Sequence, residues 1–268
     1  MKENLSNGLI VLIFIIGISL LLYPGIADLW NSYHQSYMIA SYEEKVEELD
    51  TNQELLMIND AKDYNQSLLK KNYQWTLTDK EMDKYNNILD ITGTGIMGYV
   101  EIPKINVELP IYHNNDEASL QVGIGHFPGS SFPVGGFSTH CVLTGHTGLP
   151  SSRLLTDIDQ LEIGDVFYLH VLDDTLAYEV DQVKIVLPEE TEDIEIIDGA
   201  DYCTLVTCTP YGVNSHRLLV RAKRISYVDI NSQLINEVQV FPIIIAIFIV
   251  VLVYVAVSLV KNKFRKKG

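Results

Sequence analysis

A cysteine that closes a strand-like run, an arginine at the head of the next run, and a histidine set between glycines are the residues here with the means for acyl transfer. The run Thr204-Leu205-Val206-Thr207-Cys208-Thr209-Pro210 delivers Cys208 at its end, where Pro210 can no longer donate to a ladder. Arg217 follows nine residues later, after a connection containing Pro210, Gly212 and Asn214. Such residues favour turns, so the two runs are expected to be hairpin neighbours with Cys208 and Arg217 at one end of the sheet. A guanidinium there favours thiolate over thiol and can receive an oxyanion during attack on a carbonyl. His146, in Thr144-Gly145-His146-Thr147-Gly148, sits just past another strand-like run, and its flanking glycines let the backbone approach a site closely. A thiol with a base in reach is the minimal pair for acyl transfer through a covalent intermediate.

Residue types alone leave plainer roles open. A strand cysteine commonly serves as a small apolar side chain, and an arginine at a strand end commonly meets only water. His113, His126, His140 and His216 compete with His146 for any catalytic part. Cys141, Cys203 and Cys208 are too few and oddly numbered for a disulfide framework. Cys203 and Cys208 lie five apart in one run, which points them to opposite faces roughly 16 Å apart, beyond the reach of a bridge.

Two uncharged stretches place these residues relative to a bilayer. Phe241 to Val260 is twenty residues without a charge, enough to span the hydrocarbon of a membrane. Leu9 to Leu22 is a second such run, which Tyr23-Pro24-Gly25 is expected to break and which is long enough to span if extended to Ile26. It reads as an uncleaved anchor, with a secretory signal peptide ending near Gly25-Ile26-Ala27 as the alternative. Lys261, Lys263, Arg265, Lys266 and Lys267 follow the second run and assign the C-terminus to the cytoplasm. Either reading of the first run puts the middle of the chain outside. The net charge is −16, and setting aside the tail's five cations leaves −21 on the remainder, which argues against nucleic acid or an anionic membrane face as a partner.

Between the runs, Asp28 to Lys71 has apolar residues at three- and four-residue steps, with a break expected near Thr51-Asn52. Thr78 to Glu81 forms a capping box for a short third helix carrying Met82, Tyr85 and Leu89. Trp75 stands in the otherwise polar linker between them. After Gly93-Thr94-Gly95 the pattern changes to short runs rich in β-branched and aromatic residues: 97–102, 107–113, 140–144, 165–171, 176–187, 202–208 and 217–227. Seven runs with brief breaks suggest a closed or nearly closed barrel, with Leu154 to Leu161 as a helical insertion.

At this point the sequence resembles a known family. Thr204-Leu205-Val206-Thr207-Cys208 is similar to the TLxTC signature of sortases, Arg217 stands where their arginine stands, and Leu143 to Pro150 looks like their histidine segment. Met97 to Lys104, Gly164 to Tyr168 and His216 to Arg221 resemble class C, the pilin-polymerising sortases, as does a pair of spans with a helical arm before the barrel. The resemblance implies an eight-stranded sortase-type β-barrel in a Gram-positive bacterium, with no cofactor and no metal. It implies substrates with a C-terminal LPXTG-like sorting signal. Cys208 would form the thioester, His146 would protonate the leaving amine, Arg217 would hold substrate and oxyanion, and a pilin lysine would resolve the intermediate. The expected organisation is an anchor at 1–27, a helical arm at 28–95 with a lid-like linker at 72–78, and a barrel at 96–228. A linker at 229–240, a span at 241–260 and a cytoplasmic tail at 261–268 complete it.

One segment departs from the family. Class C lids usually carry Asp-Pro before an aromatic residue, whereas here Tyr73-Gln74-Trp75-Thr76 has neither. Trp75 either plugs the cleft or packs on the barrel wall, and no lid aspartate is available to Arg217. Wall anchoring with lipid II as acceptor is a second enzymatic reading, and a membrane-anchored β-domain that only binds partners is a non-enzymatic one. A papain-like hydrolase fits poorly, because its cysteine precedes its histidine.

Overall fold

A computed structural model describes residues 2–70, 75–113 and 116–227 of the chain. The apolar run Phe241 to Val260, the linker before it, the basic tail and residues 72–74 of the lid-like linker lie outside the described residues.

Helix α1 runs Lys2–Glu47 without interruption. The break expected at Tyr23-Pro24-Gly25 is therefore corrected. Proline removes one intrahelical hydrogen bond, and strong helical patterns on both sides carry the helix through it. From Leu12 this helix is long and apolar enough to cross a membrane. Its later turns bury Gln35, Ile39, Tyr42 and Val46, which recur at four- and three-residue steps on one face. Tyr42 fastens that face to the barrel, donating its hydroxyl to the Met97 carbonyl at 3.2 Å and accepting from the Leu172 amide at 2.8 Å.

Helix α2, Thr51–Leu68, begins at a capping box built by Asp50 and Gln53, an arrangement worth about 1 kcal/mol. It buries Ala61, Tyr64, Asn65 and Leu68. Asn65 accepts the Phe132 amide at 2.7 Å and donates to the Phe132 carbonyl at 3.2 Å, so one side chain stands in for a strand partner. Helix α3, Asp79–Asn87, starts at the expected Thr78–Glu81 box and buries Tyr85, whose hydroxyl meets His126 Nδ1 at 2.8 Å. Both helices thus pin the stretch around residues 126–132.

Eight strands follow: β1 Ile96–Ile102, β2 Val107–Tyr112, β3 Ile124–His126, β4 Thr139–Thr144, β5 Val166–Val171, β6 Asp174–Val186, β7 Asp201–Thr209 and β8 His216–Ile225. They close into a barrel in the order β1-β2-β3-β4-β7-β8-β6-β5. Strand β3 is three residues long, below the length at which a pattern is legible in sequence. A short helix, α4 Glu117–Val122, carries the crossover from β2 to its parallel neighbour β3. The insertion expected at Leu154 to Leu161 is corrected to a single 3₁₀ turn, Ile158–Gln160. Leu154 sits at φ +41°, outside right-handed helical space, and the buried Leu155, Ile158 and Leu161 follow a step of three that imitates a helix. Cys141, Cys203 and Cys208 are all free thiols.

Candidate active site

The floor of the site is the outer face of β4, β7 and β8. Strand β7 pairs antiparallel with β8, and the register sets Cys208 opposite Arg217 and Val206 opposite Leu219. The hairpin reading of that connection therefore holds. On its other edge β7 pairs in parallel with β4, with Thr144 opposite Val206. Two further bonds carry this pairing past the strand's end. Gly145 donates its amide to the Val206 carbonyl at 3.1 Å, and Thr207 donates its hydroxyl to the Gly145 carbonyl at 2.8 Å. Two residues beyond Thr144 is His146, and two beyond Val206 is Cys208. In parallel strands equal steps keep side chains on one face. The register thus brings the histidine alongside the cysteine.

The threonines of the Thr204-Leu205-Val206-Thr207-Cys208 run are structural parts of this site. Thr207 holds the backbone in front of His146, and Thr204 meets His140 Nε2 at 2.7 Å. The Glu195 carbonyl lies 2.8 Å from His140 Nδ1 and can only accept, so the ring donates from Nδ1 and its Nε2 accepts the Thr204 hydroxyl proton. Burial pushes the His140 imidazole down to about 4, and it is neutral. Gly145 has no room for a side chain, because a Cβ there would lie 2.8 Å from Leu155 and 2.9 Å from Ile124. Cys141 and Cys203 are both buried in the barrel core, away from any ligand. That leaves Cys208, half-exposed at the cleft, as a thiol positioned to meet a ligand.

A cavity of about 220 Å³ lies over this floor and is lined by His146, Cys208 and Arg217 together. Its remaining walls are mainly apolar: Leu120, Phe127, Val142, Leu187, Pro188 and Ile194 among them. Arg217 donates from one terminal nitrogen to the carbonyls of Asn214 at 3.3 Å and His216 at 3.0 Å. Among the described residues it pairs with no carboxylate. His146 Nε2 is buried without a hydrogen bond. Glu117 Oε2 lies 3.5 Å from it, within ion-pair range but too poorly placed to bond. The ring of Trp75 meets Phe127 edge-on at 5.5 Å, so this aromatic stands behind one wall residue of the cleft.

Sequence reasoning missed Glu117, Phe127 and the 187–194 segment. Each reaches the cleft through long-range packing, and none carries a local signal beyond being polar or apolar. Chemically, a thiol flanked by a guanidinium on one strand and an imidazole on the other can attack an acyl carbonyl, hold the resulting oxyanion and move a proton.

The fold and site together define a class: a closed eight-stranded barrel that presents cysteine, histidine and arginine in one outer cleft. The sortase domain model matches residues 100–225. Sortase C1 from Streptococcus agalactiae is 48% identical, with a TM-score of 0.70, and the match covers 72% of this chain and all of that one. Streptococcus pneumoniae sortase C is 43% identical at a TM-score of 0.65, covering 71% of this chain and 97% of the other. Clostridium perfringens sortase C, solved with the C-terminal cell wall sorting motif, is 42% identical at 0.64, covering 72% of this chain and all of that one. The chain belongs to the sortase family, and its structural neighbours are class C sortases. It spans 52 to 64% of the length of the curated relatives it matches, which are 27 to 33% identical.

Proposed function

We propose that this protein is a cysteine transpeptidase that cleaves an LPXTG-like sorting signal and joins the acyl fragment to a lysine of a pilin subunit. The observation that carries the reading is the double register of β7, which pairs Cys208 with Arg217 on one side and aligns it with His146 on the other. The thiolate of Cys208 attacks the Thr–Gly carbonyl, and Arg217 receives the oxyanion. The C–N bond breaks as His146 gives its proton to the departing glycine amine, leaving a thioester. A lysine amine then attacks the thioester, an isopeptide bond forms, and the thiolate is released as His146 regains a proton. The sorting motif bound by the Clostridium neighbour and the pilin substrate specificity described for the Streptococcus pneumoniae enzyme support the donor and the acceptor assigned here.

The α1 helix serves as a membrane anchor in this reading, with Phe241 to Val260 as a second span and the catalytic barrel on the extracellular face. Trp75, through Phe127, acts as a partial lid on the donor cleft.

Full-length protein in detergent is incubated with an LPXTG peptide and analysed by mass spectrometry for an acyl adduct on Cys208. An adduct in the native chain that disappears in Cys208→Ala is expected. No adduct, or one that persists in the variant, overturns the transpeptidase. Adding purified pilin and finding no lysine-linked ladder moves the assignment to wall anchoring. Equal cleavage rates in native protein and Trp75→Ala would remove the lid role.

A further inference from the structure

Cys208 belongs to two cavities. Besides the apolar cleft it shares with His146 and Arg217, it lines a second space of about 270 Å³. The two differ in character. The second is walled by Thr147, Thr156, Asp157, Asp159 and Tyr211, with Thr209 beside the cysteine. It is built rather than incidental. Tyr211 lies against the backbone of Gly148, where a Cβ would come within 2.7 Å of its ring at a φ of +76° that already favours glycine. Gly148 is fixed in turn by its backbone N–H, which donates to the Thr156 hydroxyl oxygen at 3.1 Å.

The carboxylates are not equivalent. Asp157 is occupied by Arg153, at 2.5 and 3.1 Å, and by Gln160 at 3.0 Å. Asp159 has no ion pair among the described residues and leaves a net negative charge on the wall. An acyl group on Cys208 whose peptide fills the apolar cleft leaves the other space that Cys208 lines open to a second substrate.

We propose that the second cavity is the acceptor port of the transfer step, receiving a primary amine as its ammonium form, with Asp159 and the surrounding hydroxyls recognising the cation. The inference rests on the transpeptidase reading above and names where its second substrate enters. The ammonium loses one proton to solvent, and the free amine nitrogen bonds to the thioester carbon. The carbon–sulfur bond then breaks, and the nitrogen's surplus proton passes to His146, which was left neutral by the first half-reaction. Thiolate and imidazolium are restored, so atoms and charge balance over the cycle.

The test measures how the acyl-enzyme partitions between hydrolysis and aminolysis, which scores even a variant that acylates slowly. Nα-acetyl-lysine amide serves as a cationic acceptor and hydroxylamine as a neutral one, in the native protein, Asp159→Asn, Asp159→Lys and Tyr211→Ala. An exposed charge contact is worth a factor of about 3, so Asp159→Asn should raise half-saturating lysine amide by about that much. Charge reversal in Asp159→Lys should raise it about tenfold, with hydroxylamine partition unmoved by either change. Tyr211→Ala, which opens the wall without touching charge, should weaken both acceptors together. In the Asp159 variants, unchanged partition or an equal loss with both acceptors overturns the port. Absence of any acyl adduct in the native protein overturns the transpeptidase itself, a separate result. Triglycine, whose α-amine represents a wall cross-bridge, supplies the second arm: the amine's source is whichever of lysine amide and triglycine has its half-saturation raised more by the Asp159 variants.

Discussion

Thr207 donates its hydroxyl to the Gly145 carbonyl at 2.8 Å, one residue before His146, and both groups are buried. Thr207→Val keeps the shape but strands that carbonyl, a penalty of about 1 to 3 kcal/mol. The expected result is a fall in kcat for peptide cleavage of about tenfold with little change in KM, recovered by Thr207→Ser; steady-state kinetics on the three proteins decide it. If valine and serine behave alike, the hydroxyl does not position the histidine. Arg217 presents a planar fork that rests on two loop carbonyls. A lysine offers a single point charge in its place, so Arg217→Lys should lower kcat/KM by about 100-fold despite keeping the charge. The same pair of residues explains what was legible beforehand. Cys208 and Arg217 are nine residues apart across turn formers, and their meeting follows from local chemistry. His146 joins them through the parallel pairing of β4 with β7 across 62 residues, and no spacing rule in the sequence reaches that far. Its assignment at the sequence level rested on resemblance.

Among the elements, α1 does more than provide an apolar stretch. Asp28, Asn31 and Gln35 lie on one face of it and grip the loop that leaves His146. Asn31 donates to the Ser151 carbonyl at 2.7 Å, Asp28 accepts the Arg153 amide at 2.8 Å, and Gln35 reaches the Ser152 hydroxyl at 3.4 Å. The loop closes on itself two residues later, where the Leu155 amide meets the His146 carbonyl at 3.2 Å. Helix α1 is thereby coupled to His146 through a handful of hydrogen bonds from its side chains. Combining Asp28→Ala with Asn31→Ala should slow peptide cleavage about fivefold at nearly constant KM, the loss of one to two modest hydrogen bonds in positioning. Hydrogen exchange at the Arg153 amide should rise in parallel. Faster exchange with an unchanged rate would confine the grip to structure. None of this was visible in the helical periodicity, which marks a face but not its partner, and Pro24 suggested an end to α1 where the surrounding turns carry it on. The 154–161 stretch erred in the opposite direction, since buried leucines and isoleucine at steps of three read as a helix until the backbone at Leu154 turns left-handed.

For the whole molecule, the buried histidines set how stability responds to acid. His140 lies where β4, β7 and the segment before β7 converge, its two nitrogens committed to Glu195 and Thr204. Burial holds it at about 4 in the fold, while an unfolded imidazole titrates near 6.5. Between those values the unfolded chain binds a proton that the folded chain does not, so stability rises with pH there. The contribution is complete above about 6.5 and is lost as pH falls toward about 4, reaching roughly 3 kcal/mol at the low end. His113, also pushed down by burial, acts with the same sign. Glu108 opposes them: burial and the neighbouring Glu101 and Glu43 push its carboxyl up, so it favours the fold as pH falls through its raised range. Asp165 and Asp193 are held low, Asp193 chiefly by Lys184, and they draw on stability only below the carboxylate range. In the window from about 6.5 to 4 the histidines therefore lower stability as pH falls, with Glu108 offsetting part of the loss. Urea midpoints for the full chain should decline steadily from pH 7 to pH 4.5, and His140→Gln, which keeps a donor and an acceptor but cannot charge, should flatten that slope. An unaltered slope in the variant would assign the acid response to another group. Because protonation leaves the Nδ1–H bond to the Glu195 carbonyl in place and turns Nε2 from acceptor to donor against Thr204, acid should disturb the β4–β7 seam that floors the cleft before the barrel itself opens. Peptide cleavage should then fail at a higher pH than the loss of sheet signal in circular dichroism.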